Sequence, residues 1–274
     1  MHKDIDYIVF EHLLNENRKY GSNSPDIVKM HFYCEPDEIN ENVIIAPSWY
    51  PQIFQNFIEN IVQVLDNQHL KIWNISINNK KFTYIVTGIG APKVIETVLA
   101  LGCTPCRKII FIGSVGGLVE NFNIGDIIIP EYSICGDGSC RYLTNGKILT
   151  NDCFGEKYYP NKELYEQIIL KTKEITKESN ANWHVGKNFS IDTIIVQFAH
   201  IDEILGMGCN CIEMETAVLF KSSEICNIKA GAIFSVSDNS IIKKSLVSGR
   251  TKEEMEYRKN IRDNILTKIV IECI

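Results

Sequence analysis

Four short stretches of the chain concentrate residue types that do chemistry. Ser235-Val236-Ser237-Asp238 ends an apolar run on a carboxylate. An acid there either caps the next helix or, in a partly dry pocket, keeps its proton and serves as a general acid. Ile212-Glu213-Met214-Glu215-Thr216 places two carboxylates after another apolar run. On a strand they share a face, whereas a helix starting at Glu215 makes them diverge. Glu215 is suited to accept hydrogen bonds from a diol, and Met214 to pad an apolar sugar face. A single Glu at a helix start also serves the helix dipole. Thr87-Gly88-Ile89-Gly90-Ala91-Pro92 brings backbone close to a ligand at the start of a helix, whose N–H groups suit an anion or a polar oxygen. Gly113-Ser114-Val115-Gly116-Gly117 offers a hydroxyl in a glycine nest, or simply a loop that needs positive φ.

Strands must carry these residues. Residues 43–46 read as a short buried strand and 51–65 as a helix. Residues 70–77 and 81–88 read as strands joined by the hairpin signal Asn78-Asn79-Lys80. A helix over 91–101 is ended by Gly102. Strands follow at 108–112 and 124–129, an amphipathic helix at 161–179 and a strand at 184–191. A short helix at 198–206, a strand at 209–214, a helix at 216–226, a strand at 229–237 and a closing helix at 250–270 complete the chain. This alternation predicts an α/β fold: a mixed, largely parallel, twisted central sheet flanked by helices in three layers. Ligands bind at the carboxyl ends of strands in such sheets, where the four stretches fall. Residues 1–42 are helix-prone to Lys19 and loop-like over 21–25. They read as an extension packed on a single domain, 43–274.

The chain has 274 residues, 45% hydrophobic and 23% charged, with a formal charge of −6. Disorder, collagen-like repeats and coiled coil are excluded as descriptions of the whole. The negative balance argues against holding nucleic acid by charge neutralisation. No signal peptide and no membrane-length apolar window is found. A cytoplasmic protein that binds neither nucleic acid nor membrane is expected. The ten cysteines read as reduced thiols. Cys103-Thr104-Pro105-Cys106 has redox spacing but lies after a helix, not between a strand and the helix it opens. Cys209 and Cys211 share a strand face as any half-buried strand would allow. No second pair completes a zinc site, so no metal is expected. Arginine, the usual bidentate ligand of phosphate, is confined to Arg18, Arg107, Arg141, Arg250, Arg258 and Arg262.

Taken together, the strand ends resemble the nucleoside phosphorylase and nucleosidase superfamily. That group contains purine nucleoside phosphorylases, uridine phosphorylases and methylthioadenosine/S-adenosylhomocysteine nucleosidases. The resemblance spans roughly 43–270. Its carriers are Gly88-Ile89-Gly90-Ala91-Pro92, Gly113-Ser114-Val115-Gly116-Gly117, Gly125-Asp126-Ile127-Ile128-Ile129-Pro130, Glu213-Met214-Glu215-Thr216-Ala217 and Ser235-Val236-Ser237-Asp238. It implies cleavage of a ribosyl N-glycosidic bond through an oxocarbenium-like transition state, with the base leaving as an anion. Asp238 matches the acid that meets N7 of a purine, which uridine phosphorylases lack. Glu215, with Glu213 near it, matches the grip on the ribose hydroxyls, and Met214 the packing under the sugar. Ser114 matches the phosphate-site hydroxyl, and Gly90 and Ser48 fall on the same nucleophile side. Ser190-Ile191-Asp192-Thr193-Ile194 matches the base-stacking segment, which puts Asp192, Ile194 and Ser237 at the base. The resemblance further implies a homodimer or ring of dimers, a small-molecule nucleoside as substrate, inorganic phosphate as co-substrate and no other cofactor.

The chain also departs from the family pattern. Phosphorylases hold phosphate with a glycine and an arginine after the first strand, where this chain has Ser48 and Gln52. Phe111 replaces a second arginine, and no arginine lies near Gln68 and His69, where the neighbouring subunit supplies a third. Nucleosidases lack the arginine at the Phe111 place but carry a Glu after the first strand, and 46–52 holds none. Ile194 stands where an aromatic ring usually stacks. Arg141, in the glycine-rich loop 136–142, and Lys93 are candidate substitute anion ligands. Phosphorolysis of a purine nucleoside is the leading expectation. A phosphate-independent nucleosidase and a nucleoside-binding protein on a catalytically altered scaffold are the alternatives. A dinucleotide-binding dehydrogenase is disfavoured, because no complete GxGxxG with its later acid follows the first strand.

Overall fold

Asn78 and Asn79 both take positive φ, 52° and 62°, the backbone that lets a two-residue turn match the twist of its flanking strands. They join β3 (Lys71–Ile77) to β4 (Lys80–Val86), as the sequence predicts. The computed structural model describes residues 2–274, with side chains from Ile8 onward. Helices α1 (His2–Lys19) and α2 (Ser24–Phe32) precede β1 (Asn42–Ala46). After β4 come α3 (Ala91–Leu101), β5 (Lys108–Gly117), β6 (Ile127–Gly136) and the short β7 (Lys157–Tyr158). Then follow α4 (Lys162–Thr176), β8 (Trp183–Ile191), α5 (Ile201–Gly206), β9 (Cys211–Glu213), α6 (Thr216–Ile225) and β10 (Lys229–Asn239). The chain closes with α7 (Lys252–Asn260), a π-helical turn (Ile261–Leu266) and α8 (Thr267–Cys273).

The sheet is mixed. Parallel pairings join β4, β1, β5 and β10, and β6, β8 and β9. Antiparallel ones add β2 and β3 at one edge and link β10 to β6 and β9 to β5. Side chains alternate across it, as the two-residue period of a strand requires. Val43, Ile45 and Phe111 face the layer of α1, α2, α3 and α6, while Ile44, Ile110 and Ile112 face α4 and α8. The predicted α/β sandwich of helix, sheet and helix is therefore present. Val9, Phe10, Leu14, Val28 and Phe32 of the first two helices bury their side chains in the first of these cores.

Residues 51–65 do not form the expected helix. One short turn, Pro51–Phe54, gives way to β2 (Asn60–Asp66), antiparallel to β3. The β-branched Ile61, Val62 and Val64 suit a pleated edge, and β2 satisfies the ladder groups that β3 would otherwise leave unpaired.

Strand β5 runs on through Gly113, Ser114, Gly116 and Gly117, where a positive-φ loop or nest was expected. Here glycine makes room. A Cβ on Gly116 would lie 3.1 Å from Ile212 Cγ2 and 3.3 Å from Asp238 Oδ2. One on Gly117 would lie 2.9 Å from Asn239 Nδ2. Among the described residues, no helix is long and apolar enough to cross a membrane.

Candidate active site

The carboxyl ends of β5, β9 and β10 meet. Asp238 pairs with Gly116 in the β5–β10 register, and Gly116 pairs with Ile212 of β9. A bulge between Val236 and Asp238 shifts the register just before the acid and so re-aims its side chain. Asp238 stays in the strand and caps no helix. Its Oδ1 accepts the Ser237 hydroxyl at 2.5 Å. Burial pushes its carboxyl above the ordinary range, while Ser237, Arg250 and Arg258 pull the other way. Asp238 lines a cavity of about 540 Å³ together with Ile194, Phe198, Gln197, Ser240 and Leu246. Its surface is largely apolar, from Ile194, Phe198, Ile201, Leu246 and Val247, with Asp238 and Lys243 as its charged groups.

Glu213 and Glu215 diverge, because Glu213 ends β9 while Glu215 stands at the turn into α6, which begins at Thr216. Glu213 turns back onto that helix. Its carboxylate accepts the Glu215 and Thr216 N–H groups, both at 2.8 Å, the Thr216 hydroxyl at 2.7 Å and the Ser190 hydroxyl at 2.5 Å. Burial pushes Glu213 up against those four donors. It is a helix cap rather than the ribose ligand expected. Glu215 Oε1 accepts the Gly90 N–H at 2.7 Å. Burial first, and then the charge of Glu213, push Glu215 up to about 8. Gly90, expected on the nucleophile side, thus commits its N–H to the acid expected on the ribose side. Its φ of 107° is a conformation that only glycine adopts without strain. Met214 lies half-buried between the two acids.

Ser114 is exposed on β5, and its Oγ accepts Arg258 Nη2 at 2.7 Å. Arg258 also donates from Nε to the Val236 carbonyl at 3.1 Å. Its guanidinium and that of Arg262 lie 5.9 and 5.7 Å from the Trp49 ring centre, within cation–π range. Trp49 is buried and follows the exposed Ser48 on the loop after β1. Arg250 Nη1 donates to the Ser237 carbonyl at 3.0 Å. Burial, Arg262 and Arg250 push Arg258 down to about 10, so it stays charged at neutral pH.

Other expected residues lie elsewhere. Asp192 accepts the Gly138 N–H at 3.0 Å and, with Arg141, lines a separate depression of about 280 Å³. Neither reaches the cavity of Asp238. The Ser237 hydroxyl is turned to Asp238 and the Val115 carbonyl, so it acts on the acid and not on a base. Lys93 is exposed on α3. Phe111 is buried with its ring 5.9 Å from that of Phe234. Cys135, Asp137 and Cys140 bring three donor atoms within 4.8 Å of one another. However, Asp137 already accepts the Ser139 and Cys140 N–H groups and both thiols, a self-satisfied turn.

Phe198 and the arginines of the closing helix are the residues that sequence reasoning missed. Phe198 had a signal: an aromatic four positions after Ile194 in the stacking segment. The arginines had none, since nothing local ties 250–262 to Ser114.

A family model described as the phosphorylase superfamily matches residues 53–272. The chain is 22% identical over 254 residues to a DeoD-type purine nucleoside phosphorylase of Streptococcus gordonii, covering 90% of this chain and 98% of that one. It is 28% identical over 231 residues to one from Buchnera aphidicola, covering 82% and 92%. Among solved structures, Toxoplasma gondii purine nucleoside phosphorylase in complex with immucillin-H superposes with a TM-score of 0.71 at 15% identity, over 89% and 93% of the chains. Vibrio fischeri uridine phosphorylase gives 0.70 at 16% identity, over 86% and 93%. The match of that family model over residues 53–272, most of the chain, establishes that this chain belongs to the phosphorylase superfamily.

Proposed function

We propose that the protein cleaves the N-glycosidic bond of a purine nucleoside by phosphorolysis. The observation that carries this reading is Asp238, an acid pushed above its ordinary range by burial, on the wall of a cavity with apolar stacking surfaces. As the bond to C1′ lengthens, Asp238 passes its proton to the departing base at N7. The ring oxygen of the ribose shares the positive charge left on C1′, and Glu215 holds the sugar hydroxyls above Met214. Phosphate then bonds to C1′ from the opposite face, giving ribose 1-phosphate and the neutral base, and the proton that the phosphate ester sheds to solvent balances the one that Asp238 takes back.

A homodimer or ring of dimers belongs to this reading, on the family resemblance and on the exposed apolar pair Ile61 and Val62 of the edge strand β2. Ten unpaired thiols support a reducing, cytoplasmic compartment. Incubation with inosine, adenosine, uridine and methylthioadenosine, with and without phosphate, tests the reading by released base. Purine release that requires phosphate is expected. No release under either condition sinks it. The second reading, a nucleosidase, is favoured by Phe111 at the arginine place, and equal release without phosphate would establish it.

A further inference from the structure

We propose that Arg258, carried by the closing helix and supported by Arg262 and Trp49, is the cation that binds the attacking oxyanion beside Ser114. The inference rests on the phosphorolysis reading and names the residue that it requires.

Four observations converge on one spot. First, Arg258 is tethered at the carboxyl end of the sheet. Its Nε is held by the Val236 carbonyl and its Nη2 by the Ser114 hydroxyl, 144 positions away in sequence. An arginine clamped in this way presents its remaining N–H donors in a fixed plane. Second, the charge is uncompensated at contact range. Its helix neighbours Lys259 and Arg262 pair with Asp263, and Lys244 pairs with Glu254. Arg258 makes no ion pair among the described residues, although Asp238 stabilises it from farther off. Third, Arg250 and Arg262 lie close enough to repel it. Like charges gathered in a half-buried place are costly unless an anion joins them. Fourth, Ser114 is exposed and accepts from Arg258 through its oxygen. Its own proton is thus free to donate to an incoming anion.

The ligand chemistry follows. A tetrahedral oxyanion suits a planar fork plus one hydroxyl, and inorganic phosphate is such an anion. The spot lies next to Asp238 along β5 and β10, since Ser114 pairs with Ser235 and Gly116 with Asp238. In the phosphorolysis reading, such an anion is the nucleophile that meets C1′ of the sugar. The positive charge comes from the last helix, not from the loop after β1, where Ser48 and Gln52 stand, nor from Phe111.

The test uses the full chain. Phosphate should raise the melting temperature of the wild type, and Arg258→Gln should abolish that shift. In turnover, Arg258→Gln should raise the KM for phosphate at least tenfold with the KM for nucleoside changed less than twofold. Ser114→Ala should raise the phosphate KM several-fold. A wild-type phosphate shift or phosphate KM that survives Arg258→Gln overturns the proposal, as does a wild type that phosphate does not stabilise. If Arg258→Gln does not fold, Arg258→Lys decides. It keeps the charge but loses the fork, so an unchanged phosphate KM overturns the proposal and a several-fold rise supports it. The two readings fail separately. Arg258-dependent phosphate stabilisation without base release leaves the subsite standing and removes phosphorolysis. Phosphate-dependent base release that ignores Arg258 does the reverse.

Discussion

Glu215 and Gly90 tie the start of α6 to the start of α3, through a 2.7 Å hydrogen bond from the glycine N–H to the buried carboxyl. The bond places the Glu215 carboxyl over the glycine turn, beside a second acid, Glu213.

This pairing makes stability depend on pH. Burial and Glu213 push Glu215 up to about 8 in the folded state, whereas an unfolded Glu titrates near its ordinary value of about 4.3. The folded protein therefore binds the extra proton between those values, and stability falls as pH rises from about 4.3 towards 8. Melting temperatures measured from pH 5 to 8.5 should decline. Glu215→Gln should flatten the decline. Parallel curves for the two proteins would refute the assignment.

Asp238→Asn removes the proton but keeps the shape. Purine turnover should drop on the order of 10²-fold or more, with little change in melting temperature. If the acid form is the working one, as the proposed function requires, kcat should fall as pH rises through the raised pKa of Asp238, and the variant should lose that limb. Equal turnover by wild type and variant would remove Asp238 from the chemistry.

Gly116→Ala probes the contact of the strand with the acid. Its Cβ would crowd Ile212 and Asp238 at 3.1 and 3.3 Å. We expect a loss of about 1–3 kcal/mol in urea unfolding, typical of overpacking. Since displacement of a reacting group by ~1 Å can cost 10²-fold, turnover should suffer by roughly 10- to 100-fold. Wild-type kcat in a destabilised variant would show that Asp238 need not lie on this glycine.

Phe198→Ala opens the cavity wall that, on the proposed function, stacks the base. Loss of one aromatic contact is worth about 0.5–1.5 kcal/mol. The nucleoside KM should then rise roughly two- to tenfold with kcat nearly unchanged, the signature of lost uniform binding. An unchanged KM would place the base elsewhere.

Much of the scaffold was legible because its signals are local. The hairpin at Asn78 and Asn79, the helix Ala91–Leu101 behind Gly90 and the apolar strands around Ile110 and Ile233 each follow from neighbours in sequence. Asp238 and Glu215 stood out as acids at the ends of such strands. Residues 51–65 misled because their strand character depends on the free edge of β3, which no local pattern records. The two roles of Glu213 and Glu215 depended on where α6 begins, and on Ser190 arriving from β8.

The sequence by itself determined most strands of the sheet and the two acids at their ends, Glu215 and Asp238, since alternation and strand-end position are properties of contiguous residues. Only the tertiary structure decided where the positive charge goes. Arg258 reaches Ser114 because the closing helix packs across the carboxyl ends of β5 and β10, and a contact between positions 144 apart leaves no trace in either stretch alone.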